Sequence, residues 1–329
     1  MLSKNLLTNA ATVVVAVMLA AGGCTRRAAS GDGGAGDPSG SADLATATAG
    51  GGGDLASAAG DLGSLGTLYD SDGPEAYTQL SLMAGSVAVV VYLPATAGPR
   101  PAVVLTPGLQ QPGAAYAPYA RRLASWGVIA VLRDDPGVLA QPQSVADDVA
   151  AIVAWLPTPT PLAGRVDTAH VGLAGHSRGG MASLLALAGG ASARAFFGLD
   201  PVDNNGAARA KLPMLTVPTA FLGETTDSAG GMACAPADQN YATLYDAAPS
   251  PSLSLTAVGA DHTQFEDPAS CAFCTLCTAG SADGATVRRY ATRYLMSFFA
   301  RELLGDTRID ATLNSAADVA AGAIVAKSK

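Results

Sequence analysis

One ten-residue stretch, "GLAGHSRGGM" at 172–181, constrains this chain more than any other. Ser177 stands between Gly175 and Gly179, with a short apolar run before it and an alanine-rich run after it. Read as strand, turn and helix, this is a G-x-S-x-G elbow. So sharp a reversal puts strained dihedrals on the serine and leaves no room for a side chain two residues away on either side. It also lifts the hydroxyl clear of a sheet and sets it at a helix N-terminus, where backbone N–H groups can stabilise an oxyanion. Ser177 is expected to be a nucleophile rather than an inert residue in a glycine-rich turn.

The surrounding pattern supplies the context such an elbow needs. From about residue 76 extended and helical stretches alternate. "VAVVVYL" (87–93) stops at Pro94, "AVVLT" (102–106) stops at Pro107-Gly108, and a helical stretch over 116–126 leads into the strand "VIAVLR" (128–133). Ser144 is placed to cap a helix through Trp155, with Asp147 at its third position. The strand "AHVGLAG" (169–175) and a helix over 181–188 frame the elbow. "RAFFGLD" (194–200), "PTAFLG" (218–223), a helical segment over 238–247, "SLSLTAV" (252–258) and a helix over about 286–304 follow. Strands alternating with helices predict an α/β fold with a mostly parallel central sheet and helices on both faces. In such sheets, sites lie beyond the carboxyl ends of the strands. Those ends are the loops starting at Pro107, Asp134, Gly175, Asp200, Gly223 and Gly259. The segment 201–215 is too short for a large lid domain, so the site should be open.

A serine nucleophile needs a base, and the chain has three histidines. His170 begins the strand into the elbow, at the wrong end. His176 adjoins Ser177, and neighbouring side chains at an elbow point apart. His262, in "VGADHTQF" just past the last strand, fits the serine–acid–histidine order of this chemistry. The acid must hold the imidazole tautomer from another strand end. Asp200, at the end of "RAFFGLD", and Asp227, in the loop after "PTAFLG", are both candidates, and Asp200 is preferred because the sheet can aim it. Asp203 and Glu224 read as solvated loop residues. The backbone N–H groups of Leu109 and Arg178 are the expected oxyanion donors. The Arg178 side chain is read as a salt-bridging brace for the elbow helix, with an acidic substrate group as its other possible partner.

Charge and cysteines bound the setting. The net charge is −8 and no sizeable basic cluster exists, which argues against nucleic acid as a partner. Lys4, the apolar run 10–21 and the small residues before Cys24 read as an export signal over 1–23, with "AGGC" resembling the lipobox of bacterial lipoproteins. Lipidation of Cys24 would anchor the chain to a membrane in the cell envelope; ordinary cleavage and secretion is the alternative. Residues 24–66, rich in Gly, Ala and Ser, read as a flexible tether. The other four cysteines, Cys234, Cys271, Cys274 and Cys277, favour two disulfides in an exported protein, and "CAFCTLC" invites zinc or iron–sulfur as the rival reading. The disulfide reading is preferred because no second CxxC pair exists.

These residues carry a resemblance. From about 75 to 306 the chain resembles the α/β-hydrolase branch, related to dienelactone hydrolases, that holds chlorophyllases, platelet-activating-factor acetylhydrolases and cutinase-like polyester hydrolases. "RLASWGVIAVLRDD", "GRVDTAHVGLAGHSRGG" and "TVPTAFLGETTD" are similar to the polyester-hydrolase pattern, "GHSRGG" and "GLDPVD" to chlorophyllase, and "GADHTQFED" to the acetylhydrolase histidine loop. The chain differs from the polyester hydrolases beside the serine, where it has His176 and Arg178. The first two subfamilies imply Asp200 as the acid, and the polyester hydrolases imply Asp227. The resemblance implies an α/β-hydrolase fold over 67–306, with 307–329 as a tail or helix. It further implies a serine ester hydrolase that needs no metal or organic cofactor and acts on a small or lipid-like ester. A non-catalytic surface lipoprotein on the same fold, and an acyltransferase using the same residues, are the alternatives.

Overall fold

The computed structural model describes residues 65–226, 233–269 and 274–329. The export signal, Cys24, nearly all of the tether, Asp227 and Cys271 lie outside the described residues.

Among the described residues, nine strands form one sheet in the order β1-β2-β4-β3-β5-β6-β7-β8-β9. Its centre is the apolar, largely buried runs that the sequence marks: β3 (Arg100–Thr106), β4 (Ile129–Arg133), β5 (Val166–His176), β6 (Ala195–Leu199), β7 (Thr219–Glu224) and β8 (Ser252–Ala257). These six pair in parallel. Their apolar residues point both ways because helices cover both faces. The edges are antiparallel: β1 (Tyr77–Ala84) pairs with β2 (Val87–Pro94), which pairs with β4, and β9 (Ile324–Ser328) closes the other edge against β8.

The helices α1 (Ala117–Ser125) and α6 (Gly284–Leu304) cover one face, burying Tyr119, Leu123, Phe298 and Phe299 against Leu105 and Phe197. On the other face, α2 (Pro142–Trp155), α3 (Ser177–Ala188) and α5 (Tyr241–Ala247) bury Val149, Ile152, Met181 and Leu244 against Val104, Leu173 and Phe221. Between β6 and β7 run only the short helix α4 (Ala207–Lys211) and a 3-10 turn, with no lid domain.

Three local features differ from the sequence reading. The helix α2 begins at Pro142 with Gln141 at its N-cap, not at Ser144, whose hydroxyl instead donates to the Gln141 carbonyl at 3.0 Å. Proline at the first helical position has its φ preset and no N–H to satisfy, so it starts the helix earlier than a serine cap would. The helix after the elbow begins at Ser177 itself rather than at 181. Residues 307–329 hold a short helix, α7 (Ala316–Ala320), and beyond it the strand β9.

Candidate active site

The elbow has the geometry its sequence demands. Ser177 joins β5 directly to α3 and sits at φ +52°, a left-handed conformation that side-chain-bearing residues rarely adopt. A Cβ on Gly175 would lie 2.5 Å from the carbonyl of Gly179, and one on Gly179 would strike the carbonyls of Thr106 and Pro107. Both glycines are therefore required by space. The turn is pinned from outside by the N–H of Val202, which donates to the Ser177 carbonyl at 3.1 Å.

His262 opens a 3-10 turn just beyond β8. Asp261 caps that turn by accepting from the Thr263 N–H at 2.9 Å, while Gln264 Oε1 accepts from the Asp261 N–H at 3.2 Å. Asp261 also accepts from the Gly280 N–H at 2.6 Å, tying the His262 turn to the segment before α6. The imidazole Nδ1 of His262 lies 2.6 Å from Asp200 Oδ2. Asp200 follows β6, is fully buried, and adopts φ +38° while its N–H donates to the Leu222 carbonyl at 2.6 Å. Strain stored at a strand end is common where a carboxylate must be aimed. Ser177 and His262 line one pocket of about 160 Å³, together with Gly108, Leu109, Thr263 and the Cys234–Cys277 disulfide.

That disulfide joins the loop after β7 to the segment after the His262 turn, with a Cα–Cα distance of 5.4 Å. Cys274 is disulfide-bonded as well. The two described cysteines of "CAFCTLC" are thus oxidised and offer no thiolate to a metal.

The remaining candidates sort by position. Arg178 turns its guanidinium away to pair with Asp135 and to donate to the carbonyls of Gly137 and Ala140, bracing the loop after β4. His170 pairs with Asp167 at 2.8 Å near the start of β5. Asp203 and Glu224 are not solvated, contrary to the sequence reading: both are buried and accept from local backbone, Asp203 from the Arg209 N–H at 2.7 Å and Glu224 from the Thr226 N–H. Each follows or ends a buried strand, so its carboxylate turns inward to satisfy the next turn of backbone.

His176 lies close to His262 and is bonded elsewhere. Its ring centroid lies 4.6 Å from that of His262, and its Nε2 donates to the His262 carbonyl at 3.1 Å. Its Nδ1 faces the Tyr116 hydroxyl and Glu266. Glu266 closes the "GADHTQFED" stretch, but nothing in the sequence marks it as a partner of His176, and Tyr116 and the Gln111 that donates to Glu266 stand in no motif at all. Burial pushes the Tyr116 phenol well above its usual range, with the Glu266 charge acting in the same direction, so the hydroxyl keeps its proton.

Comparison with known proteins bears on this arrangement. The model of a PETase family, described as PET hydrolase-like, matches residues 56–324. The sequence matches no curated protein.

Proposed function

The chain belongs to the PET hydrolase-like family, an ester-hydrolase family of the α/β-hydrolase type, and from that premise we propose that it is a serine carboxylic-ester hydrolase with the triad Ser177, His262 and Asp200. Ser177 Oγ attacks the ester carbonyl, and His262 takes its proton and returns it to the leaving alcohol. Asp200 keeps the Nδ1 proton in place and stabilises the imidazolium formed at each proton transfer. The N–H groups of Leu109 and Arg178 receive the developing oxyanion. Water then enters by the reverse sequence and releases the acid. The substrate class is a small or lipid-like ester. In the same reading, residues 1–23 export the chain and a lipid on Cys24 holds it at a membrane.

The observation that carries the proposal is the 2.6 Å contact of His262 Nδ1 with a fully buried carboxylate, on a histidine that shares its pocket with a positive-φ serine. Short-chain p-nitrophenyl esters and a fluorophosphonate probe test it. Ser177→Ala is expected to abolish labelling and to lower kcat by about 10⁴ to 10⁶ with an unchanged circular dichroism spectrum. Turnover near that of the wild type would end the proposal.

A further inference from the structure

Three segments must be held in register for the proposed chemistry: the oxyanion loop at Gly108-Leu109, the elbow at His176-Ser177, and the base loop from His262 to Glu266. They are far apart in sequence, and a fourth segment joins them. Tyr116 ends the 3-10 turn Gly113–Tyr116 that leads into α1. Its hydroxyl accepts from the Gly108 N–H at 3.0 Å, lies 2.7 Å from His176 Nδ1, and is 3.5 Å from Glu266 Oε1. His176 Nδ1 is also 3.2 Å from Glu266 Oε1. The other nitrogen of that ring carries a hydrogen, because the His262 carbonyl it meets at 3.1 Å can only accept. Glu266 Oε2 accepts from Gln111 Nε2 at 2.6 Å, and the Gln111 N–H donates to the Gly108 carbonyl at 3.1 Å. The chain of bonds thus begins and ends on the peptide groups of Gly108.

Resting on the reading of Ser177, His262 and the Leu109 N–H as catalytic machinery, we infer that the Tyr116 hydroxyl is a positioning group that sets the oxyanion loop and the base loop in one register, acting through His176 and Glu266. All three side chains are buried, so water cannot take over a lost bond in the same geometry. The fit is close as well: a Cβ on Gly108 would lie 2.8 Å from His176 Nδ1 and 3.3 Å from the Tyr116 oxygen. Gly108 is one peptide from Leu109, so any tilt of its N–H misaims the oxyanion donor. The His262 carbonyl is part of the backbone that carries the imidazole, so slack there misaims the base. Interactions of this kind matter more to the transition state than to the bound ester, and losing one lowers kcat more than it raises KM.

Tyr116→Phe removes one oxygen and keeps the ring. Its kcat for a p-nitrophenyl ester is expected to fall about 10- to 100-fold with KM within about threefold. Its affinity for phenylboronic acid, which forms a tetrahedral adduct on the serine, should fall in parallel. Glu266→Leu should behave likewise, and Glu266→Gln, which keeps shape and an acceptor oxygen, should recover most of the loss. Wild type and Ser177→Ala are run alongside. A wild type without turnover or fluorophosphonate labelling refutes the serine-hydrolase reading itself, whatever the Tyr116 variant does. With an active wild type, folded Tyr116→Phe that keeps its kcat and boronate affinity overturns the inference, even if its melting temperature drops. Should Tyr116→Phe not fold, the contrast between Glu266→Leu and Glu266→Gln decides in the same terms.

Discussion

Replacing Gly175 by alanine tests whether the spacing of the elbow aims Ser177, the proposed nucleophile. The added Cβ would meet the carbonyl carbon and oxygen of Gly179 at 2.5 Å and the nitrogen of Gly180 at 2.6 Å. Ordinary contact begins at 3.4 Å, so the gap must open by about 0.9 Å. The obstructing atoms are backbone in the first turn of α3, which cannot swing aside as the tip of a side chain would. Either α3 withdraws or the end of β5 moves, and Ser177 lies between them. A displacement near 1 Å at a reacting atom costs on the order of 10² in rate. The overpacking itself costs roughly 1–3 kcal/mol, or a melting temperature lower by about 2–12 °C for a domain of this size. The assay pairs kcat and fluorophosphonate labelling rate with thermal unfolding followed by circular dichroism. A folded Gly175→Ala enzyme with kcat within twofold of wild type would refute the argument that tight packing across the elbow sets the serine.

Further outcomes are expected elsewhere. Asp200→Asn should lower kcat by about 10³ to 10⁴ while Asp227→Asn stays within tenfold of wild type; the reverse result would move the acid to the loop after β7. Reducing the Cys234–Cys277 bridge, which spans 43 residues, or replacing Cys277 by serine, should destabilise the domain by about 2–4 kcal/mol. An unchanged melting temperature after complete thiol titration would contradict this. The Arg308 side chain, helped by the Tyr69 hydroxyl, holds the Asp306 carboxyl down at about 2. A lowered carboxylate stabilises above its ordinary value near 4 and loses that stabilisation as pH falls through the lowered one. Asp306→Asn should therefore cost about 1 kcal/mol at neutral pH, after allowance for solvent screening, and match wild type near pH 2. A difference in melting temperature that persists at pH 2 would show another cause.

Where the physics is local, the sequence was enough. The elbow is written in six residues because the clash between Gly175, Gly179 and Gly180 lies within the same turn. The central strands are legible because each is buried on both faces and so reads as a short, continuous apolar run bounded by turn residues. The edge strands are not legible: β1 alternates exposed and half-buried residues, and β9 is five residues with a lysine and a serine, so neither has the apolar density of a strand. Asp200 stands out because it ends a buried strand, whereas Asp227 stands several residues beyond its strand pattern. Least legible is the group behind His262. Tyr116, His176 and Glu266 meet only because two 3-10 turns and the end of β5 converge from distant segments, with separations of 60 and 150 residues. A buried glutamate looks no different in sequence from a solvated one.

The placement of β9 has a practical side. Its five residues occupy the hydrogen-bonding edge of β8, from Ser328 opposite Leu253 to Ile324 opposite Ala257, and Lys329 exchanges both backbone bonds with Ser252. Shaving the chain back to the end of α7 would bare a row of peptide donors and acceptors on an apolar strand, the template on which unrelated chains stack into aggregates. It would also unclamp the strand that delivers His262. For anyone building a fusion or an immobilised form of this enzyme, the far edge of the sheet is therefore a poor place to cut, and attachment ahead of residue 65 leaves that seam closed.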